Sequence, residues 1–205
     1  MALVLALAFV FVQPPSVHAD GIADLKAFTA ELSTFQANFS QTVTQGGKAQ
    51  KESGILTLKR PTRFRWDYLK PNPHMVLADG FHVWVYDKEL DQASRQKQQK
   101  AVSGTPAQVL TGDVPVEQIF KISNLPDSGG MSWVKLVPKD KDSQYDLIKL
   151  AMKDQLLARM HIVDKLGQTT EIEFTKVKRN PEVAWDFFIF EVPKGVDLID
   201  DKSEE

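Results

Sequence analysis

Arg63-Phe64-Arg65-Trp66-Asp67-Tyr68-Leu69 sets three rings on one side of an extended chain and Arg65 and Asp67 on the other. Successive side chains of a strand point to opposite faces, so this pattern describes a wall that is dry on one side and wet on the other. The period of two continues outward in both directions. Segments at 54–59, 74–78 and 81–86 are parted by Arg60-Pro61, by Lys70-Pro71-Asn72-Pro73 and by Asp79-Gly80, all turn signals. After Ser128-Gly129-Gly130 come strand-like segments at 131–137, 145–152, 156–163, 168–177 and 185–192, with turns at 164–167 and Asn180-Pro181. The polar stretch 88–100 reads as an edge hairpin arm. Short connections favour one antiparallel sheet, and about eleven strands in one open sheet must curl strongly or close. A barrel or half-barrel follows.

Two helical patches interrupt this pattern. Ile22, Leu25, Phe28, Leu32, Phe35 and Phe39 recur at spacings of three and four, which predicts an amphipathic helix over 21–38. Its ring-rich face must cover a large apolar surface. Mid-chain, Thr105 can cap and Pro106 can take the first helical position before 107–110, with Gly112 ending the turn and Asp113 starting another short helix through 116–121.

Rings facing inward leave two readings open. Apolar stripes are most often filled core, whereas concave aromatic walls under helices that lift would form a pocket for an apolar ligand. Segments 81–86 and 185–192 are apolar on both sides, so some strands are covered twice.

Composition narrows the function. With 25 Lys or Arg against 27 Asp or Glu, the chain lacks the excess positive charge of a nucleic-acid footprint. Zero cysteines exclude disulfides, thiolate zinc sites and a cysteine nucleophile. No G-x-S-x-G is present, and His74, His82 and His161 show neither triad nor metal spacing. Asp200-Asp201 reads as solvated tail. Nothing in the sequence points to an enzyme. Residues 2–12 are a continuous apolar run, too short to span a membrane, followed by Val17-His18-Ala19 with small residues at the −3 and −1 positions of a cleavage site. Residues 1–19 are therefore expected to be a secretory signal peptide and 20–205 a single domain. With Asp20 rather than Cys after the cut, no lipid anchor is expected.

Leu58-Lys59-Arg60-Pro61-Thr62-Arg63-Phe64-Arg65-Trp66, then Leu77-Ala78-Asp79-Gly80 and Val83-Trp84-Val85-Tyr86-Asp87 with Gln92-Ala93, resemble the periplasmic outer-membrane lipoprotein carrier family, LolA. Asp24-Leu25-Lys26, Phe35, Phe39-Ser40-Gln41, Gly104-Thr105-Pro106, Val137-Pro138-Lys139 and the closing 190–201 fall in the same order, so the resemblance covers 20–201. It implies an α+β fold, an incomplete, unclosed antiparallel β-barrel of about eleven strands under a helical lid, around a cavity that shields acyl chains. Leu25, Phe28, Leu32, Phe35, Phe64, Trp66, Val109, Leu110 and Ile119 would form cavity and lid. Arg60 would latch the lid by bonding carbonyls near Thr29 and Leu110-Thr111. Thr29 and Gln108 stand where apolar lid residues are expected. The implied partners are acylated lipoproteins as cargo, an inner-membrane ABC transporter that releases them, and the outer-membrane receptor LolB. The protein would be a periplasmic monomer with no cofactor, no metal, no nucleic acid and no membrane span. The rival readings are a lipid-sensing regulatory module of the same fold, and a periplasmic enzyme acting on lipid.

Overall fold

The computed structural model describes residues 20–112 and 114–200, so the signal-peptide reading of 1–19, Asp113 and Asp201 lie outside the described residues. Among the described residues one sheet of twelve strands dominates. In chain order these are β1 (Thr34–Gln45), β2 (Lys48–Lys59), β3 (Arg63–Lys70), β4 (His74–Ala78), β5 (His82–Asp87), β6 (Gln92–Lys97), β7 (Phe120–Ser128), β8 (Met131–Pro138), β9 (Tyr145–Lys153), β10 (Leu156–Asp164), β11 (Thr169–Arg179) and β12 (Asp197–Asp200). Their spatial order is β12-β6-β5-β4-β3-β2-β1-β11-β10-β9-β8-β7, which leaves β12 and β7 as unjoined edges. All pairings are antiparallel except β12 against β6. The fold is an unclosed, largely antiparallel barrel with few helices.

Among the described residues four short helices accompany the sheet: α1 (Gly21–Ala30), α2 (Gln98–Val102), α3 (Pro106–Thr111) and α4 (Val116–Ile119). The helix expected over 21–38 stops at Ala30, and Phe35 and Phe39 belong to β1. A spacing of four is compatible with both periods, so these two rings fit a helix stripe and one face of a strand equally well. Thr105 precedes α3, but its hydroxyl donates back to the Val102 carbonyl at 2.8 Å and caps nothing. The helix expected over 116–121 ends at Ile119, and its last residues open β7, a strand the sequence pattern missed. Pro126 within β7 is tolerated because β7 is an edge. The arm expected at 88–100 is β6 followed by α2.

Segment 185–192 is not a strand. It is a 3-10 turn, Trp185–Phe188, running into an extended strap without ladder pairing. The strap crosses the face of β3–β5 opposite the main core. Phe190 packs 5.4 Å from Trp84 and 5.3 Å from Tyr86, in a second apolar cluster with Met75 and Leu77. The Arg65 guanidinium lies 4.8 Å from the Phe187 ring while pairing with Asp67 at 2.9 Å. The side of β3 expected to be wet is thus partly covered. Asp200, expected in solvent, is the last residue of β12 and pairs with Arg95 at 2.6 Å.

The main core lies on the other face. There α1 packs on β7, β8, β9 and β10, and α3 on β2, so the helices bridge the two halves of the curled sheet. Gly21 at the start of α1 is buried, and a Cβ there would sit 2.8 Å from the Trp133 carbonyl oxygen. Only glycine lets the helix end lie on the β8 backbone.

Candidate functional site

The wall of the site is β1 to β3 with β11. Alternation on β3 turns Phe64, Trp66 and Tyr68 inward, where Phe39 meets Trp66 at 4.8 Å and Tyr68 at 5.0 Å, both edge-on. Trp66 also lies 6.4 Å from Phe174. Gly54 on β2 makes this possible, since a Cβ there would strike the Asp67 carbonyl and the Phe39 ring. Burial pushes the Tyr68 phenol up to about 12; nearby Glu52 adds to this, and a hydrogen bond with Gln41 opposes it.

Against the wall lie the apolar faces of the helices. Leu25, Phe28, Leu32, Phe35, Phe64, Val109 and Leu110 are buried in one continuous cluster, with Trp66 and Ile119 partly buried against it. Phe28 meets Phe35 at 5.8 Å and 90°, and Phe35 meets Phe174 at 6.1 Å. The helices and rings fill the hollow of the sheet. A cleft of about 410 Å³ runs along the lid seam, with Ile22, Leu25, Thr29, Arg60, Val116 and Ile122 among its walls. A groove of about 460 Å³ elsewhere has charged walls, including Lys149, Arg159, Glu171 and Glu173, and shares no residue with the seam.

Arg60 sits in the β2–β3 turn and reaches the seam. Its Nε donates to the Leu110 carbonyl at 2.9 Å and its Nη1 to the Thr29 carbonyl at 3.0 Å, joining the last turns of α3 and α1. Both carbonyls lie in the last turn of a helix, where the i to i+4 ladder runs out and a cation is favourable, and the Thr29 carbonyl also accepts from the Leu32 N–H at 3.4 Å. Burial pulls the Arg60 pKa down from its ordinary value, yet a guanidinium remains charged in proteins. The Thr62 N–H adds a bond to the Thr111 carbonyl at 3.1 Å. Thr29 and Gln108 satisfy local backbone: the Thr29 hydroxyl donates to the Leu25 carbonyl at 2.9 Å, and Gln108 Oε1 accepts from the Gly104 N–H at 2.7 Å.

Other groups tie α1 down. Asp20 caps its start and accepts from Asn124 Nδ2 at 2.8 Å; that bond and those from the Ala23 and Ile22 N–H groups hold its carboxyl below the usual carboxylate range. Lys26 pairs with Glu117 at 2.8 Å. At the other end Arg179 donates to the Ala27 carbonyl at 3.1 Å and Asn180 to the Glu31 carbonyl at 2.9 Å. Beyond the Asn180-Pro181 turn, nothing in the sequence pattern singles out Arg179 or Asn180. The available signal was an Asn at a strand end, a residue that accepts the left-handed conformation; here its φ is +55°. Gln98, hidden in a polar stretch, is nearly buried and donates to the Thr62 carbonyl at 2.6 Å while accepting from the Gly80 N–H at 3.0 Å.

A curled, unclosed sheet whose hollow is occupied by short helices defines a recognisable class of fold. An uncharacterized conserved protein from Thermus thermophilus shares it, with a TM-score of 0.53 at 13% identity over 87% of this chain and 96% of that one. Residues 30–191 match the family described as outer membrane lipoprotein carrier protein LolA. An outer-membrane lipoprotein carrier protein of Methylobacillus flagellatus is 40% identical over 91% of this chain and 92% of its own. One from Methylibium petroleiphilum is 37% identical over 90% and 91%. This chain belongs to that family. No helix among the described residues is long and apolar enough to cross a membrane.

Proposed function

We propose that this protein is a periplasmic carrier of lipoproteins, a binding protein rather than an enzyme. It shields their acyl chains in the hollow now filled by α1 and α3, accepts them from an inner-membrane ABC transporter and passes them to the outer-membrane receptor LolB. The observation that carries this reading is Arg60: one guanidinium closes two helices over an aromatic wall by bonding the carbonyls of Thr29 and Leu110.

Burying hydrocarbon is worth about 0.8 kcal/mol per methylene, so a 16-carbon chain is disfavoured in water by on the order of 12 kcal/mol. A carrier must offset most of that and still let the acceptor win. A lid that closes on itself does so, because the closed empty state competes with cargo and lowers apparent affinity in proportion to the open fraction. Hydrogen bonds from a charged donor contribute about 1.5–3 kcal/mol each, which sets the scale on which Arg60 tunes release. The names of the family relatives support lipoprotein as the cargo.

Arg60→Leu should shift the lid toward its open form. The expected outcome is tighter retention of a fluorescent fatty-acid probe, by tenfold or more, and slower transfer of bound lipoprotein to the receptor. Unloading at the parent's rate would remove the latch from the mechanism.

A further inference from the structure

Next to the lid seam, two large rings face solvent. Phe81, at the tip of the β4–β5 turn, is 76% exposed, and Trp185, at the head of the strap, is 59% exposed. Arg63 lies between their two segments. Its Nε donates to the Asp79 carbonyl at 3.1 Å, two residues from Phe81, and its guanidinium stands 5.6 Å from the Trp185 ring centre. Among the described residues neither terminal amino group of Arg63 has a hydrogen-bond partner, although the side chain is positioned by that bond and that ring.

The turn that presents Phe81 is built to stay in place. Asp79 Oδ1 accepts from the Phe81 and His82 N–H groups, both at 2.7 Å, and Oδ2 accepts from the Trp84 indole at 2.8 Å. Exposing an aromatic ring on a rigid turn has no benefit for this fold: Phe81 packs into neither apolar cluster. Aromatic and arginine side chains held ready at a surface are the residue types that dominate protein–protein binding energy. A preorganised guanidinium with open donors suits a carboxylate, bidentately, and the rings suit apolar neighbours of that carboxylate.

We propose that Phe81, Arg63 and Trp185 form the docking surface for a protein partner that presents a carboxylate flanked by apolar side chains. The inference rests on the carrier reading and identifies where that carrier meets the protein it exchanges cargo with. A bilayer is the less suitable occupant. Attraction to anionic headgroups takes a cluster of about four to eight cations, whereas these two rings share a single positioned guanidinium, that of Arg63. Position favours a partner too. Gln98 bridges the Phe81 turn at Gly80 to Thr62, and Thr62 bonds the Thr111 carbonyl beside the Arg60 latch. A partner seated on Phe81 is one bridge from the lid it needs open.

The test uses the purified protein with three probes: the cognate receptor without its lipid anchor, the periplasmic domain of the cognate transporter, and phosphatidylglycerol vesicles. Phe81→Ser, Phe81→Ser with Trp185→Ser, and Arg63→Gln are compared with the parent. The expected result is a rise in Kd of tenfold or more for at least one protein probe in the double variant. Arg63→Gln should reduce the salt dependence of that Kd, with thermal midpoint and fatty-acid-probe binding unchanged in the serine variants. Equal affinity of parent and double variant for both protein probes overturns the proposal, as does a parent that binds neither. Aromatic-dependent binding to the vesicles alone overturns it in favour of a membrane surface. Lipoprotein transfer separates the two levels: transfer at equal rates by parent and double variant sinks the docking surface only, whereas a parent that transfers nothing sinks the carrier reading and this inference together.

Discussion

The wall and the lid share one apolar core but are attached to the molecule in different ways. The wall rests on β1 and β2, paired residue by residue from Thr34 opposite Lys59 to Gln45 opposite Lys48, with β3 and β11 continuing the ladder on either side. The lid consists of α1 with ten residues, α3 with six and α4 with four. Isolated helices shorter than about 12–15 residues are marginal in water, so these persist through what they touch. Neither α3 nor α4 has a side-chain cap at its start. The difference lies in how each is held: long-range ladders make the wall cooperative, and a few end-on bonds make the attachment of the helices local.

The sharpest break of this comparison is in the wall. Phe39 is 3% exposed and touches both Trp66 and Tyr68 edge-on. Phe39→Ala should remove about 3–5 kcal/mol of global stability, the usual cost of emptying a core ring site. Denaturant unfolding measures it. A loss below about 1 kcal/mol would mean that the wall is as loosely held as the lid, and the distinction would fail.

A smaller effect comes from Tyr68, which meets Phe39 in the same ring cluster and stacks on His74 at 4.0 Å. Its pKa, raised by burial to about 12, means that the folded state holds the phenol proton more tightly than the unfolded chain does. Its contribution is therefore complete below about pH 10 and is lost as the pH rises from about 10 to about 12. The full loss is about 2–3 kcal/mol. Tyr68→Phe should flatten that limb of the stability curve; an unaltered alkaline limb would place its origin elsewhere.

The wall was also the part most legible in the sequence. Phe64, Trp66 and Tyr68 alternate with charges, and a period of two has one structural meaning when the faces differ so much. The pattern failed where it was degenerate. Phe28 and Leu32 are four apart, as are Phe35 and Phe39, and neither spacing says where a helix yields to a strand. Residues 185–192 are apolar on both sides because Phe188 and Phe190 pack inward while Trp185 and Ile189 face out; an extended strap and a strand share that signature. At the seam, Arg60 reaches the carbonyls of Thr29 and Leu110, the region to which the family resemblance pointed. Composition and periodicity alone gave no reason to choose Arg60 over a solvated strand end. Arg179, Asn180 and Gln98 stayed hidden because their roles are bonds to backbone carbonyls and amides distant in sequence, which leave no periodic trace.

Asn180 gives the smallest and most local effect. Its Oδ1 accepts from the Ser33 N–H at 2.9 Å, the Ser33 hydroxyl at 3.1 Å and the Thr34 N–H at 3.3 Å, and its Nδ2 donates to the Glu31 carbonyl. One side chain thus secures the corner where α1 passes into β1. Asn180→Gly keeps the left-handed backbone without strain and removes these bonds. The site is exposed, and water replaces part of what is lost, so opening of the corner should become easier by about 1–2 kcal/mol. Amide exchange in α1 should then quicken by roughly 5- to 30-fold while the amides of β1 and β2 keep their protection. Because the lid is attached locally, the global midpoint should move far less than in Phe39→Ala. If strand amides accelerate along with those of α1, lid and wall open as one unit and the two-part description gives way to a single cooperative one.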